Sequence, residues 1–385
     1  MKWDFLIVGA GFSGLVAGEQ LSKSGFRCKI IDKRDHIGGN AYDKFDEAGV
    51  LIHPYGPHYF RTNSQRIIEY LSQFTEWSEV AYEIRSFTKN QYWHFPINLN
   101  TFEQWLGRES TEEEWSQWLD EHKVPMTSPA NSEEVILSQV GWDLYKAFFE
   151  QYTLKQWKKH PKELAASVCG RIPIRTNRDN RYLTEEFQAL PLDGYTKMME
   201  RIIDSSQGLE VELGVDYLAD RNRWDSKHII YTGPIDAFYD YSFGPLPYRS
   251  LRFDYESYNQ EQLQTREAES GKPGHWQPVL QVNYPDLDVP YTRTVEIKHA
   301  TKQDIPASTV VREYPEEWTP EKEPFYPVPT QESAELYQKY KELADRDEHV
   351  SFIGRLGCYR YYNMDQVVGM ALTESQKLIK KYTRI

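Results

Sequence analysis

Cysteine is scarce in this 385-residue chain: Cys28, Cys169 and Cys358 lie far apart and show no CxxC spacing. That scarcity excludes a disulfide framework and a zinc site built on cysteine pairs, and it reads as a chain of a reducing compartment, the cytoplasm. Long apolar runs are missing as well. No stretch approaches the roughly 18 consecutive apolar residues that cross a bilayer, and mean hydropathy is −0.71, so no membrane partner is expected. Positive charge is in deficit. The 45 Lys and Arg stand against 58 Asp and Glu, a formal net charge of −13. Such a surface repels phosphate backbones and argues against nucleic acid, while an anionic nucleotide-sugar needs a local arginine-lined cleft. The opening MKWDFLIVGAGFSG has no separate apolar core with a small-residue cleavage site, so it is expected to be mature fold. Aromatic side chains are plentiful, at 14% with 27 Tyr and 11 Trp. Clustered among arginines, they suit a cleft that stacks a base or a sugar.

Trp3 to Val8 reads as a buried strand, and Gly9, Gly11 and Gly14 follow at once. Leu15, Val16, Ala17 and Leu21 then recur at helical spacing up to Gly25, and Cys28 to Ile31 makes a second strand. This strand–turn–helix–strand unit opens a doubly wound parallel sheet. From Thr101 to Gln156, Trp and Leu recur every three or four residues among glutamates, which predicts helices with an apolar stripe. Asn131-Ser132-Glu133-Glu134 carries a helix-start signature. VLQVNYP, TRTVEIKH and TVVREYP alternate as half-buried antiparallel strands do. The polar stretch from Ser257 to His275 lacks periodicity and is expected to be an exposed loop. Val350 to Lys380 reads as strand, aromatic loop and closing helix.

Gly9-Ala10-Gly11-Phe12-Ser13-Gly14 has the GxGxxG spacing in the place where its physics applies. The first glycine makes the tight turn, the second admits backbone to a pyrophosphate, and the third allows close helix–strand packing. The helix N-terminus adds positive potential. Asp32 ends the next strand, where an acid bonds a ribose hydroxyl. A purely structural turn is the competing reading. The continuation Lys33-Arg34-Asp35-His36-Ile37-Gly38-Gly39-Asn40 resembles flavoenzymes, in which this loop wraps the pyrophosphate and ribose of FAD.

IIDKRDHIGGNAYD and HPYGPHYFRTN are similar to the flavin-binding opening of UDP-galactopyranose mutases. FPINLNTF, YTLKQW, RIPIR, GYTKMMERI, IIYTGPID, YRSLRF, VPYTR, REYPEEW and GRLGCYRYYNMDQV follow in that family's order, so the resemblance covers residues 1–380. It implies an α/β fold: a Rossmann-type FAD-binding domain (1–80, 194–240 and 345–385), a helical domain (95–165) and an antiparallel-sheet substrate domain (81–94, 166–193 and 241–344). It implies a homodimeric cytoplasmic isomerase of cell-surface polysaccharide biosynthesis that converts UDP-galactopyranose to UDP-galactofuranose. In the family, N5 of reduced FAD attacks the anomeric carbon and displaces UDP, and the flavin is first reduced by an external donor such as NAD(P)H.

The same resemblance implies roles for single residues. Arg175 and Arg293 match pyrophosphate-clamping arginines, which offset charge on the leaving diphosphate; Arg171 is the weaker candidate, as a salt-bridge former. Tyr314 and Tyr361 match tyrosines bonded to the diphosphate. Tyr152 and Tyr182 match positions near the nucleotide, though core packing accounts for them equally well. Trp157 matches a residue gating the sugar–uridine site, and His58 a histidine against the isoalloxazine. Arg355 resembles a residue near flavin and sugar. Gly39, Asn40 and Met364 join the cofactor set, and Asp365-Gln366 open a helix aimed at the flavin.

Three departures concern the sugar end. Arg61 stands where the family has histidine, Asn363 where it has aspartate, and Arg85 lies in a region without the family's NSP motif. They suggest a more positive pocket and a modified sugar, in UDP-galacturonic acid, UDP-N-acetylgalactosamine or dTDP-fucose, with neutral drift in a galactose enzyme as the plain alternative. An amine-oxidase-like flavin oxidoreductase and an inactive UDP-sugar-binding relative remain open.

Overall fold

A computed structural model describes residues 2–383. Its N-terminal strand, Trp3–Val8, sits between Cys28–Asp32 and Ser226–Tyr231 in a five-stranded parallel sheet. Leu209–Leu213 and Val350–Phe352 form the edges. Near-continuous apolar sequence suits a central strand covered on both faces. Helix Phe12–Lys23 and the long closing helix Met364–Thr383 pack together on this sheet. The carboxyl ends of its strands therefore open beside two helix starts, the usual place for a nucleotide in such sheets.

The second sheet has seven strands, in the order Tyr326–Pro327, Tyr248–Tyr258, Ser308–Glu317, Arg293–Val295, Gln281–Asn283, Ile84–Thr88 and Gln91–Phe95. All pairings are antiparallel except Gln281–Asn283 with Ile84–Thr88. Its register decides which side chains meet. Arg293 pairs with Glu313 and with Asn283, while Arg85 pairs with Val282, and Tyr314 with Arg252. Successive residues alternate faces, so Arg293, Glu313 and Asn283 share one face and Arg85 and Tyr314 the other. A three-stranded sheet joins Phe60–Thr62, Phe187–Pro191 and Trp77–Glu79, so segments 1–80 and 166–193 share a sheet.

The helical region contains Leu99–Leu106, Glu112–His122, Ser132–Tyr145 and Gln151–Trp157. Asn131 caps the third of these through the Glu134 amide, at 3.0 Å. Gly141, at φ 74°, kinks it where a Cβ would lie 2.2 Å from the carbonyl oxygen of His122.

The expected loop at 257–275 is a correction. The strand runs to Tyr258, Asn259 forms a capping box with Gln262, and Gln260–Ser270 is helical. Leu263 and Ser270 are its buried side chains, Leu263 packing on Tyr258 and Val310. So sparse an apolar stripe gives no periodic signal.

Candidate active site

A cleft of about 420 Å³ runs along the carboxyl edge of the parallel sheet, lined by Gly9, Gly11, Phe12, Ser13, Asp32 and Gly39 among others. Its floor is backbone. A Cβ on Gly14 would lie 1.9 Å from the carbonyl oxygen of Gly9, so this glycine lets the helix meet the strand rather than lining the cleft. Gly39, at φ +56°, brings its loop against Gly11, where a Cβ would stand 3.0 Å from the Gly11 Cα. The two loops are tied by the Gly38 amide donating to the Ala10 carbonyl at 2.8 Å. Helix Phe12–Lys23 begins with no side-chain cap, which leaves its first amides available to an anion. Asp32 accepts from the Ala10 and Arg34 amides at 2.7 and 2.9 Å, and two carboxylate oxygens retain lone pairs for a ribose hydroxyl. Lys33 and Arg34 also line the cleft, tied to Glu323 at 2.9 and 3.0 Å, and Arg34 donates to Asn40. The uncapped helix start and glycine floor fit a dinucleotide.

The cleft does not end there. Asn40, His58, Phe325, Arg355, Asn363 and Met364 line it and also a second cavity of about 170 Å³. His58 Nδ1 lies 2.9 Å from the Gly56 carbonyl. A carbonyl only accepts, so Nδ1 carries the proton and the neutral ring leaves Nε2 bare. Burial, reinforced by His53, lowers the His58 pKa to about 3 and keeps the ring neutral. Arg355 is held by the carbonyls of Tyr362 at 2.8 Å and Phe325 at 3.3 Å. Asn363 caps the closing helix: its carbonyl accepts from the Val367 amide and its amide donates to Gln366 Oε1. Asp365 accepts from Thr62 at 3.0 Å. Asp365 and Gln366 therefore build the helix start, and Met364 beside them faces the cleft.

Four guanidiniums line the second cavity, those of Arg61, Arg171, Arg293 and Arg355, and no carboxylate does among the described residues. Arg293 is ion-paired with buried Glu313 at 2.7 Å, and its own buried Nε has no partner. A third cavity of about 70 Å³ opens beside it, lined by Tyr152 and Trp157 and sharing Arg171, Tyr182, Arg293, Tyr326 and Tyr361 with the second. The Arg171 and Arg355 guanidiniums each lie 4.9 Å from the Tyr361 ring, which stacks on Tyr326. Burial alone raises the Tyr361 phenol, but Arg171, Arg355 and Arg293 outweigh it and bring the pKa down to about 8.

Several expected residues lie elsewhere. Arg175 lines none of these cavities: its guanidinium is used by the carbonyls of Arg181 and Leu183 and by Asp179. Its backbone is pinned by Ile97 and Trp115. Four residues earlier, Arg171 faces the cavity instead. Tyr314 lies on the opposite face of its sheet from Arg293, under the Arg252 guanidinium at 3.9 Å. Arg85 is on that far face too, opposite His94. Sequence reasoning missed Tyr326, Tyr82 and Gln281, which line the cavity, and Thr232 and Tyr217, which line the cleft. Phase counting along REYP separates inward Glu313 from outward Tyr314, whereas nothing local marks Tyr326. The expected gain of positive charge at the sugar end is cut back to Arg61, which lines the cavity and is itself paired. Arg61 Nη1 pairs with Glu185 at 3.3 Å and Nη2 donates to Asn363 at 3.2 Å.

Comparisons with known proteins agree with the fold. Residues 147–361 match the family described as UDP-galactopyranose mutase, and residues 7–74 an NAD(P)-binding Rossmann-like domain. The chain is 36% identical to "Probable UDP-galactopyranose mutase" of Klebsiella pneumoniae, covering 98% of this chain and 94% of that one. It is 34% identical to the dTDP-fucopyranose mutase of Escherichia coli, covering 97% and 98%. The fold matches a crystal structure of reduced UDP-galactopyranose mutase, with TM-score 0.75, 18% identity and coverage of 98% and 96%. It also matches a redesigned putrescine oxidase, with TM-score 0.60, 14% identity and coverage of 98% and 99%. These two likenesses speak for the fold alone. With the family's model matched from residue 147 to 361 and a relative 36% identical along nearly its whole length, the chain belongs to the UDP-galactopyranose mutase family, whose members are isomerases.

Proposed function

We propose that this protein interconverts the pyranose and furanose forms of a nucleotide-linked sugar, UDP-galactose in the first instance, with FAD held in the glycine-floored cleft. The observation that carries this reading is the continuity of the two cavities. His58, Arg355, Asn363 and Met364 belong to both, so a cofactor held in the cleft would border whatever the arginine-lined cavity binds. The chemistry that a reduced flavin supplies in this family is nucleophilic attack at the anomeric carbon, with no net redox change. Everything else falls to the protein. Arg293 and Arg171 grip the diphosphate and offset the charge that develops as it leaves; both line the arginine-rich cavity and the smaller one beside it. Tyr361 and Tyr326 add hydroxyls at the same place. His58 accepts at Nε2 without carrying charge. Tyr152, Trp157 and Tyr182 enclose the nucleoside end.

The test is product analysis. Dithionite-reduced protein is incubated with UDP-galactofuranose, dTDP-fucofuranose and the furanoses of UDP-N-acetylgalactosamine and UDP-galacturonic acid, and chromatography follows the pyranose formed. Conversion only after reduction, without peroxide, supports the mutase. Substrate-driven bleaching of oxidised flavin with peroxide release would establish an oxidase instead, and tight binding without conversion an inactive relative. The dTDP-fucopyranose mutase at 34% identity supports dTDP-fucose as a second sugar nucleotide, and the same panel decides between them.

A further inference from the structure

We infer that Glu185 is a specificity-determining residue: by pairing with Arg61 it occupies the guanidinium that a carboxylate at the sugar end of the site would otherwise bind, so that the enzyme takes an uncharged hexose and rejects a uronate. The inference rests on the nucleotide-sugar reading above and deepens it. Its basis is a count of charge. Arg293 is matched by Glu313 at 2.7 Å and Arg61 by Glu185 at 3.3 Å. Among the described residues, Arg171 and Arg355 have no carboxylate within ion-pair reach; Arg171 faces Tyr361 and Tyr182, and Arg355 bonds carbonyls. These two unpaired guanidiniums stand apart, Arg171 on the side of the smaller cavity and Arg355 on the side of the cofactor cleft.

Position separates these charges. Arg171, Arg293 and Tyr361 are shared with the smaller cavity, assigned above to the nucleoside end. Arg61 is not; it lies against Asn363, which also faces the cofactor cleft. The sugar reaches Arg61 and the diphosphate reaches Arg171 and Arg293; Arg355 also borders the cofactor cleft, with its guanidinium committed to the Tyr362 and Phe325 carbonyls. A C6 carboxylate at Arg61 would compete with Glu185 for the same guanidinium and would place two like charges around it, which costs affinity in a half-buried site. A hydroxymethyl or methyl group at C6 carries no such penalty. Glu185 does not itself line the cavity; it acts through Arg61.

The experiment compares wild type, Glu185→Gln and Glu185→Asp with UDP-galactose and UDP-galacturonic acid, in two readouts. The first is turnover of the corresponding furanoses by reduced enzyme. The second is the Kd of each UDP-sugar from quenching of tryptophan fluorescence, which needs no catalysis. Wild type is expected to favour galactose at least roughly a hundredfold in kcat/KM. Glu185→Gln is expected to cut that preference about tenfold, chiefly through a lower KM and Kd for the uronate, and Glu185→Asp to restore it. The Kd of UDP alone, which lacks the sugar, serves as the folding control and is expected to stay within about threefold. A galactose-to-galacturonate Kd ratio that Glu185→Gln leaves within twofold of wild type overturns the inference, as does a wild type that binds both sugars equally. If neither furanose is converted while the binding ratio shifts as stated, the mutase reading fails and the role of Glu185 stands.

Discussion

The cofactor cleft and the arginine-lined cavity touch along a handful of shared residues, yet they are built in opposite ways. The cleft is made by backbone: three glycines of one motif, two of a second, and a helix start without a side-chain cap. The cavity is made by side chains that converge from six segments, Arg61, Tyr82, Arg171, Arg293, Tyr326 and Arg355. Backbone sites depend on the absence of Cβ atoms at set spacings, which a single short stretch of sequence declares. Side-chain sites depend on which face of which strand looks inward, and that is settled only when the sheets assemble.

Opposite lesions should separate the two. In Gly14→Ala the new Cβ would press on the Gly9 carbonyl from 1.9 Å, and overpacking of that order costs about 3 kcal/mol. The variant is expected to purify colourless and inactive, with a lowered Tm; a yellow Gly14→Ala protein would show that the helix does not need this approach. Arg293→Ala should do the reverse. It leaves the cleft intact and the protein yellow, but it removes the proposed diphosphate ligand and strands buried Glu313. A fall in kcat/KM of roughly 10²- to 10³-fold is expected, measured with UDP-galactofuranose on the reduced enzyme. Loss of colour with Arg293→Ala would mean that the two regions are not separable.

How much was legible follows the same division. The strand Trp3–Val8, the turn at Gly9–Gly14 and the Asn131 cap were readable to the residue, because local sequence alone determines them. Arg85 and Tyr314 were not. Each sits one residue out of phase with an inward neighbour, Arg85 beside Ser86 and Tyr314 beside Glu313, and the period-two pattern separates the two faces without saying which of them looks into the cavity. Arg171 and Arg175 share the motif RIPIR in an irregular segment, where no periodicity ranks one above the other. The pairing of Arg61 with Glu185 joins residues far apart in sequence, and charge composition counted the arginine without its partner.

The pH dependence of binding sharpens the comparison at smaller cost. In the free protein the Tyr361 phenol, brought down to about 8 by Arg171, Arg355 and Arg293 against the effect of burial, becomes phenolate above that pH. A diphosphate arriving beside it adds negative charge and raises its pKa, so binding above pH 8 requires uptake of a proton. The sign is therefore a loss of affinity on raising the pH, approaching tenfold per unit above pH 8, with no loss between pH 6 and 7. UDP-galactose is the proper ligand for this titration, because its phosphates do not titrate there. His58, held near 3 by burial, contributes nothing over this range. Tyr361→Phe should bind more weakly at pH 7 yet lose the limb above pH 8; a limb that survives belongs to another group.

The smallest effect is the most pointed test of face parity. Tyr326 and Tyr314 are both tyrosines of the seven-stranded sheet, and only Tyr326 lines the cavity, stacked 5.2 Å from Tyr361. Removing its hydroxyl takes one hydrogen bond from a charged ligand, which is worth about 1.5 kcal/mol, or roughly tenfold in kcat/KM. Tyr314 spends its ring on the Arg252 guanidinium on the outer face, a contact that phenylalanine keeps. Tyr314→Phe is therefore expected within twofold of wild type in both kcat and KM, and Tyr326→Phe about tenfold below it. The opposite order would place Tyr314 inside, and with it would reverse the face assigned to Arg85, because the register of the sheet ties the two together.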